Sequence, residues 1–207
     1  MIKLDVTKKL QEFYQERLSK DGVTYSTVWG DTSEWKALER FKIVENSDFS
    51  DNDLITDLGC GNGLLCKYIN QFMPSVKYLG VDVVPEFLKH VTDTYAAETC
   101  NINFFNNVEM VPESEWYAIF GSLNKKWMVG LNDEQPVDIV YEWIDKIFLK
   151  SKKGIFLNCF SARTNSPKQN NVHLDPFKIL ELLDEKVKYY RIRHDLEFYE
   201  FSLMIGK

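Results

Sequence analysis

Apolar side chains follow two different spacings along this chain, and the change between them separates a helical front part from a strand-containing remainder. In the front part they recur every three or four positions. This predicts a helix over residues 5–20 and a second helix that begins near Thr32 or Ser33, both good N-caps. A polar stretch over residues 45–53 follows. From Leu54 onward, short apolar runs alternate with segments of helical spacing.

This alternation predicts an α/β fold, with a mostly parallel sheet and helices on both faces. The predicted strands cover residues 54–58, 77–81, 102–105, 116–120, 154–160, 189–193 and 198–205. The predicted helices of this part cover residues 64–72, 85–97, 137–149 and 176–183. Only residues 194–197 join the last two strands, which is too short for a parallel crossover, so these strands should be antiparallel. We therefore expect a seven-stranded sheet with its last strand reversed.

The composition is that of a globular protein without general affinity for polyanions. The length of 207 residues predicts a single domain over 1–207, in which 1–50 form a helical lid and 51–207 form the α/β core. The formal net charge of −6 makes nucleic acid an unexpected partner, because phosphates favour dense Lys/Arg patches. The cysteines form no C-x-x-C pair and no Cys/His cluster with zinc-like spacing, so we predict no metal site.

The cysteines and the hydropathy of the chain also indicate a cellular compartment. Unpaired cysteines are typical of a reducing environment. The chain turns polar directly after its first residues, and no apolar run approaches the roughly 20 residues that span a bilayer. We expect a cytoplasmic protein that does not enter a membrane.

A glycine-rich turn follows the first predicted strand, in the segment Asp57-Leu58-Gly59-Cys60-Gly61-Asn62-Gly63. Alternate glycines allow a tight turn and close approach of a ligand, and the helix that follows offers free N–H groups to an anion. Asp82 ends the next predicted strand, where its carboxylate can accept hydrogen bonds from two ribose hydroxyls. The dinucleotide motif G-x-G-x-x-G would need its third glycine at Leu64 or Cys66, which disfavours NAD and FAD.

The segments DLITDLGCGNGLL and YLGVDVVPEFLKHV resemble motifs I and II of the class I S-adenosylmethionine (SAM)-dependent methyltransferases. The resemblance covers residues 54–207 and implies the strand order 3-2-1-4-5-7-6, with SAM as the cofactor. It implies that Asp82 holds the ribose, that Val83 packs near the adenine, and that an acid after the third strand meets the adenine amine. This chain has Asn107 there instead. The cofactor-binding residues assigned on this resemblance are Trp29, Asp57, Gly59, Gly61, Asn62, Asp82, Val83, Asn107 and Gly121.

The loops after the fourth and fifth predicted strands should face the substrate in this fold. The first loop begins Gly-Ser-Leu-Asn and lacks the Asn/Asp-Pro-Pro-aromatic signature of many DNA amino-methyltransferases. It resembles small-molecule and sugar methyltransferases, a subset that also tends to carry an N-terminal Trp…Arg-Phe segment, matched loosely here by Trp29, Trp35, Arg40 and Phe41. The substrate-binding residues predicted from these loops and from the lid are Tyr25, Ser122, Asn124, Arg163 and His173.

His194 and Asp195 follow the sixth predicted strand, and a His-Asp pair before the last strand is frequent in the same subset. A histidine at that end of the sheet could accept a proton from a hydroxyl, since its pKa is near neutral, with Asp195 orienting the ring. The alternative is a pair that only caps the turn.

These patterns predict a monomeric or homodimeric methyltransferase that acts on an oxygen or nitrogen atom of a small molecule or a saccharide. Two alternatives stay open. The acceptor could be RNA or protein, or the chain could be a SAM-binding partner subunit without catalysis.

Overall fold

The computed structural model describes residues 6–30, 33–45, 47–105, 108–197 and 199–207. Its strands are β1 (Leu54–Leu58), β2 (Lys77–Asp82), β3 (Glu98–Asn101), β4 (Trp116–Phe120), β5 (Gly154–Ser161), β6 (His173–Leu174), β7 (Tyr189–Arg193) and β8 (Glu200–Gly206). Its α-helices are α1 (Val6–Asp21), α2 (Tyr25–Trp29), α3 (Glu34–Glu45), α4 (Leu64–Phe72), α5 (Pro85–Tyr95), α6 (Asp138–Lys150) and α7 (Pro176–Leu183).

Within the described ranges the strands form one sheet in the order β3-β2-β1-β4-β5-β8-β7, with β6 paired to the end of β5. Strands β1 to β5 run parallel, whereas β8 is antiparallel to both β5 and β7. The α/β class, the reversed last strand and the sequence of neighbours are confirmed. The predicted count of seven strands is wrong, because the loop after β5 folds back and His173–Leu174 pairs with Phe160–Ser161 as an eighth strand.

The predicted position of β3 is also wrong. The strand occupies Glu98–Asn101, whereas the apolar residues 102–105 follow it as a loop. As an edge strand, β3 needs only one hydrogen-bonded neighbour and carries polar, part-exposed side chains. The apolar run behind it instead packs Phe104 into the core.

Two helical layers cover the sheet and enclose separate apolar clusters. Helices α6 and α7 bury residues such as Ile144, Ile147 and Ile179 against one face. Helices α3, α4 and α5 cover the other face with residues that include Phe41 and Ile69. The carboxyl ends of the parallel strands stay outside both layers, which leaves room there for a ligand.

The helices α1 and α2 lie over this end of the sheet. Gln11 of α1 donates its side-chain N–H to the Val83 carbonyl at 2.8 Å, and Tyr14 packs on Phe87 with ring centroids 5.0 Å apart. Val28 of α2 lies directly against Gly61. The apolar spacing of the sequence does not predict α2, a five-residue helix that begins where Thr24 caps it. In the described part of the chain, no helix combines the length and apolarity that crossing a membrane requires.

Candidate active site

A cavity of about 410 Å³ lies where β1, β2, β4 and β5 end and β8 begins. Helices α1 and α2 roof it, and α3 closes one side. The position follows from topology, because parallel strands end together and the loops that leave them diverge. Nine of the sixteen site residues predicted from the sequence border this one cavity.

The glycine-rich turn forms the floor of the cavity. Gly59 and Gly61 adopt φ angles of +87° and +52°, a region that favours glycine. A Cβ atom at Gly59 would lie 2.7 Å from Cβ of Ser122, and one at Gly61 would lie 2.7 Å from Cγ1 of Val28. Both glycines are therefore needed for backbone conformation and for the close approach of neighbouring segments.

Asp82 connects this turn to the end of β2. Its carboxylate accepts hydrogen bonds from the backbone N–H groups of Gly61 at 3.0 Å, Val83 at 2.7 Å and Val84 at 3.0 Å. Burial raises the pKa of Asp82, although the three N–H donors oppose the rise. The side chain borders the cavity together with Val83, so the predicted ribose-binding and adenine-binding residues stand side by side.

Asp57 lies beneath the turn and also reaches the cavity. Its carboxylate accepts a hydrogen bond from Oη of Tyr78 at 2.9 Å. Burial, and to a lesser extent the charge of Asp82, raise the pKa of Asp57 to about 7, while the bond from Tyr78 lowers it. A carboxyl group in such a place is well suited to a cationic ligand, which would favour its ionised form.

We predict that Asp57 makes the ligand-free protein less stable as the pH rises from about 4 to about 7. The folded state holds a proton on Asp57 up to a pKa of about 7, whereas the unfolded chain releases it near 3.8. Relative to Asp57→Asn, the free energy of unfolding of the wild type should fall by roughly 2–3 kcal/mol between pH 5 and pH 7.5. Urea unfolding at both pH values measures this. Asp93→Asn, at an exposed helix position, is the control, and parallel pH profiles for wild type and Asp57→Asn would contradict the prediction.

The ends of β4 and β5 form the middle of the cavity. Gly121, Ser122 and Asn124 all border it, as predicted, and Ser122 Oγ donates to the Leu58 carbonyl at 2.8 Å. The Trp29 ring covers Gly121, since its Cζ3 would be 3.8 Å from a Cβ atom there. Trp29 therefore stands between the glycine-rich turn and the loop predicted to face the substrate.

A buried ion pair that the sequence analysis did not predict closes the far end of the cavity. The guanidinium of Arg40 donates from Nε and Nη2 to the Glu200 carboxylate at 3.0 Å, and the two side chains are only 4% and 3% exposed. Both residues border the cavity, with Asn158 and Tyr199 beside them. The sequence contains one indication of this pair, which is that each charged residue lies next to apolar ones. Glu200 is the first residue of the apolar strand β8, and Arg40 precedes Phe41 in α3.

Three predicted substrate residues do not reach the cavity. Tyr25 lies behind Trp29, with stacked rings 6.3 Å apart, and its hydroxyl donates to the Ser33 carbonyl. Arg163 is exposed and pairs with Asp175 at 3.4 Å. His173 accepts a hydrogen bond from the Lys168 N–H at Nε2 and has Nδ1 at 3.2 Å from the Ser161 carbonyl, so both ring nitrogens serve the loop that forms β6.

His194 and Asp195 are likewise exposed and lie outside the cavity lining. The Asp195 carboxylate accepts from Arg193, at 3.2 Å from Nε and 3.1 Å from Nη2. The physical reason is the strand order: β7 is the edge strand, and β8 separates it from β5. The turn after β7 thus lies at the expected end of the sheet, but at its lateral edge and outside the cavity. The structure does not support the hypothesis of a general base here.

The remaining predicted cofactor-binding residues are Asn62 and Asn107. Asn62 is buried beside the turn, but its side chain does not border the cavity, and its Oδ1 atom has no hydrogen-bond partner among the described residues. Asn107 lies outside the described residues. Because β3 ends at Asn101, the segment after it that borders the cavity is 103–105, which includes Phe104.

Comparison with known proteins agrees with this geometry. A methyltransferase domain model matches residues 55–122. The Mycobacterium tuberculosis (strain ATCC 25618 / H37Rv) protein named "Putative methyltransferase Rv1506c" is 25% identical over 156 residues, which cover 74% of this chain and 92% of that protein. Human N-acetylserotonin methyltransferase, crystallised with SAM, superposes on this chain with a TM-score of 0.64 at 16% identity. The match covers 100% of this chain but only 60% of the human chain. The N-methyltransferase NodS from Bradyrhizobium japonicum, in complex with S-adenosylhomocysteine (SAH), superposes with a TM-score of 0.63 at 10% identity, covering 95% and 97% of the two chains.

The residues around the turn fit the cofactor of these enzymes. Asp57 and Asp82 supply two buried carboxyl groups for a cationic ligand that carries a ribose, and Val83 and Phe104 supply apolar surface for a flat ring. The Nε1 atom of Trp29 is buried without a partner among the described residues, as expected of a site completed by a ligand. Residues 55–122 thus match a methyltransferase domain, and the chain shares the fold of SAM-dependent methyltransferases.

Proposed function

We propose that this protein transfers the methyl group of SAM to an oxygen or nitrogen atom of a small molecule or a saccharide. The observation that carries the proposal is one roofed cavity with two chemically different ends. One end holds the glycine-rich turn with Asp57 and Asp82, and the other holds the Arg40–Glu200 pair with Asn158. A cofactor and a small acceptor can therefore meet inside a single enclosed space.

The cofactor end would bind and orient SAM through the turn and the two carboxyl groups. We expect Asp82 to accept hydrogen bonds from the ribose hydroxyls, while Val83 and Phe104 contact the adenine. Asp57 would lie near the methionine part, where its ionised form favours a cation. When bound, SAM supplies an electrophilic methyl group on a positively charged sulfur.

The acceptor end would align the nucleophile and keep water away. Phe120, Phe160 and Tyr199 border the cavity and give it aromatic walls. Alignment of two bound reactants can contribute roughly 7–11 kcal/mol to lowering a barrier. We assign no general base, and a neutral amine acceptor does not require one.

Three further facts support a small acceptor. The names of the superposed proteins include an N-acetylserotonin methyltransferase and an N-methyltransferase, and the fold is shared over nearly all of this chain. The net charge of −6 gives no general attraction to nucleic acid. Helices α1 and α2 also roof the cavity, which favours a ligand that can be enclosed over a polymer that must stay outside.

Incubation with methyl-labelled SAM and a fractionated cell extract tests the proposal. We expect the label to appear in the small-molecule or glycan fraction and to be lost with Asp82→Ala. Asp93→Ala, on the exposed face of α5, is the matched control and should retain transfer. Label found only in RNA or protein would contradict the proposed acceptor. SAM binding without transfer to any fraction would favour a non-catalytic subunit.

A further inference from the structure

Two residues, one at the acceptor end and one in the middle of the cavity, carry polar atoms that nothing in the described chain satisfies. Nη1 of Arg40 and Oδ1 of Asn124 are both buried without a hydrogen-bond partner, and both side chains border the cavity. Buried polar atoms in folded proteins nearly always have a partner, because an unpaired one loses its interaction with water without replacement. Unpaired atoms on side chains that border a cavity therefore indicate which groups a ligand there could supply.

The protein fixes the direction of the Arg40 donor. Nε and Nη2 are both used by the Glu200 carboxylate, so Nη1 is the nitrogen left over for a ligand. The planar guanidinium has a rigid geometry, and the two-point contact with Glu200 holds its orientation. The pair is neutral as a whole, which favours an uncharged hydrogen-bonding group on the ligand over a second full charge.

The strand order places the Nη1 donor of Arg40 at the methyl-acceptor end of the cavity and not at the cofactor end. Glu200 starts β8 and lies opposite Phe160 of β5, whereas Asp82 ends β2. From β1, which precedes the glycine-rich turn, the strands β4, β5 and β8 follow in order. With neighbouring strands about 4.8 Å apart, Glu200 is displaced about 14 Å from β1, on the side opposite to Asp82.

The Trp29 indole lies close to both side chains that carry the unpaired atoms. Its ring centroid is 5.7 Å from Cζ of Arg40, and its Cζ3 and the Nδ2 of Asn124 would each lie 3.8 Å from a Cβ atom at Gly121. The side chains of Arg40 and Asn124 thus both lie near one aromatic surface. A hydroxyl group can donate and accept at the same time, and the apolar face of a ring can pack on an indole.

We propose that Arg40 and Asn124 bind an acceptor ring that carries at least two hydroxyl groups, such as a sugar or a catechol. One hydroxyl oxygen accepts from Nη1 of Arg40, and another hydroxyl donates to Oδ1 of Asn124. This inference rests on the proposed function and names the substrate class for it. Arg40 and Asn124 are substrate-binding residues that select for hydroxyl groups, and Glu200 positions Arg40.

Ligand-observed NMR on the protein saturated with SAH tests the proposal. The probes are catechol and methyl α-D-glucopyranoside, with 1,2-dimethoxybenzene as a ring of similar shape that cannot donate hydrogen bonds. We expect at least one hydroxylated probe to bind at least fivefold more tightly than 1,2-dimethoxybenzene. Arg40→Lys and Asn124→Ala should each weaken that binding at least fivefold and leave SAH affinity within twofold. Arg193→Lys, which alters another arginine that contacts a carboxylate at two points, should change neither affinity.

Three results would overturn the inference. The first is equal affinity of the wild type for 1,2-dimethoxybenzene and for the hydroxylated rings. The second is that neither hydroxylated ring binds. The third is a loss of SAH affinity of tenfold or more in Arg40→Lys with unchanged affinity for 5′-methylthioadenosine, since the partner of Nη1 would then be the carboxylate of the cofactor. Failure of the wild type to bind SAH would instead contradict the proposed function itself.

Discussion

Replacement of Asp82 by alanine is expected to weaken SAM binding by at least about 100-fold. The variant removes the acceptor of two proposed hydrogen bonds from the ribose. Hydrogen bonds to charged groups contribute about 1.5–3 kcal/mol each, so the expected loss is about 3–6 kcal/mol, and each 1.4 kcal/mol is tenfold. Isothermal titration calorimetry with SAM and with SAH measures it. Asp93→Ala, at an exposed position on α5, serves as the matched control.

Part of this loss could come from the turn and not from the ribose, because Asp82 also accepts three backbone N–H groups. A double-mutant cycle with a cofactor analogue separates the two effects. For SAH that lacks the 2′-hydroxyl and 3′-hydroxyl groups, wild type and Asp82→Ala should differ by less than about tenfold. An equally large difference for both ligands would show that Asp82 acts only through the shape of the turn.

The second large effect concerns stability. Arg40→Met should lower the free energy of unfolding by about 3–5 kcal/mol, because it leaves the Glu200 carboxylate buried without its partner. The double variant Arg40→Met/Glu200→Met should recover most of that loss, since no charge stays buried. Burial raises the pKa of Glu200 even in the wild type, and loss of Arg40 raises it further. The single variant should therefore lose more stability at pH 8 than at pH 5.

Urea unfolding of the three proteins measures this prediction. Lys67→Met is the matched control, because the Lys67–Glu34 pair is about half exposed and an exposed pair contributes at most about 1 kcal/mol. A double variant that is as unstable as Arg40→Met would show that packing around the guanidinium matters more than its charge. A single variant with nearly full stability would show that Glu200 is not buried in solution.

The parts of this fold that were predictable from sequence are those whose signal is local. Strand β4 and helix α7 match their predicted bounds because each apolar segment is delimited by polar residues or proline. Strand β3 was misplaced because an edge strand does not need an apolar sequence, and the apolar run behind it serves the core. Strand β6 pairs over only two residues, and that pairing exists only once the loop after β5 has folded back.

The same distinction applies to the candidate site. The glycine-rich turn and Asp82 lie in two short segments whose residue types and spacing indicate their chemistry. The Arg40–Glu200 pair joins residues 160 positions apart, and nothing in either segment indicates which residue it pairs with. His194 was proposed from its place after a strand, but the expected strand order itself puts that strand at the edge of the sheet, and the hypothesis took no account of its distance from the cavity.

The attachment of α1 has a consequence for the rate of cofactor exchange. Of its 16 residues only Val6 is buried, and it is held to the remainder through side-chain contacts such as that of Gln11 with the Val83 carbonyl. Sheet strands are held by a ladder of backbone bonds, so we expect α1 to detach at a lower free energy than the strands beneath the cavity. We expect SAH to leave by transient departure of this helix, so that the residence time of the spent cofactor depends on the contacts of α1 as well as on those of Asp82.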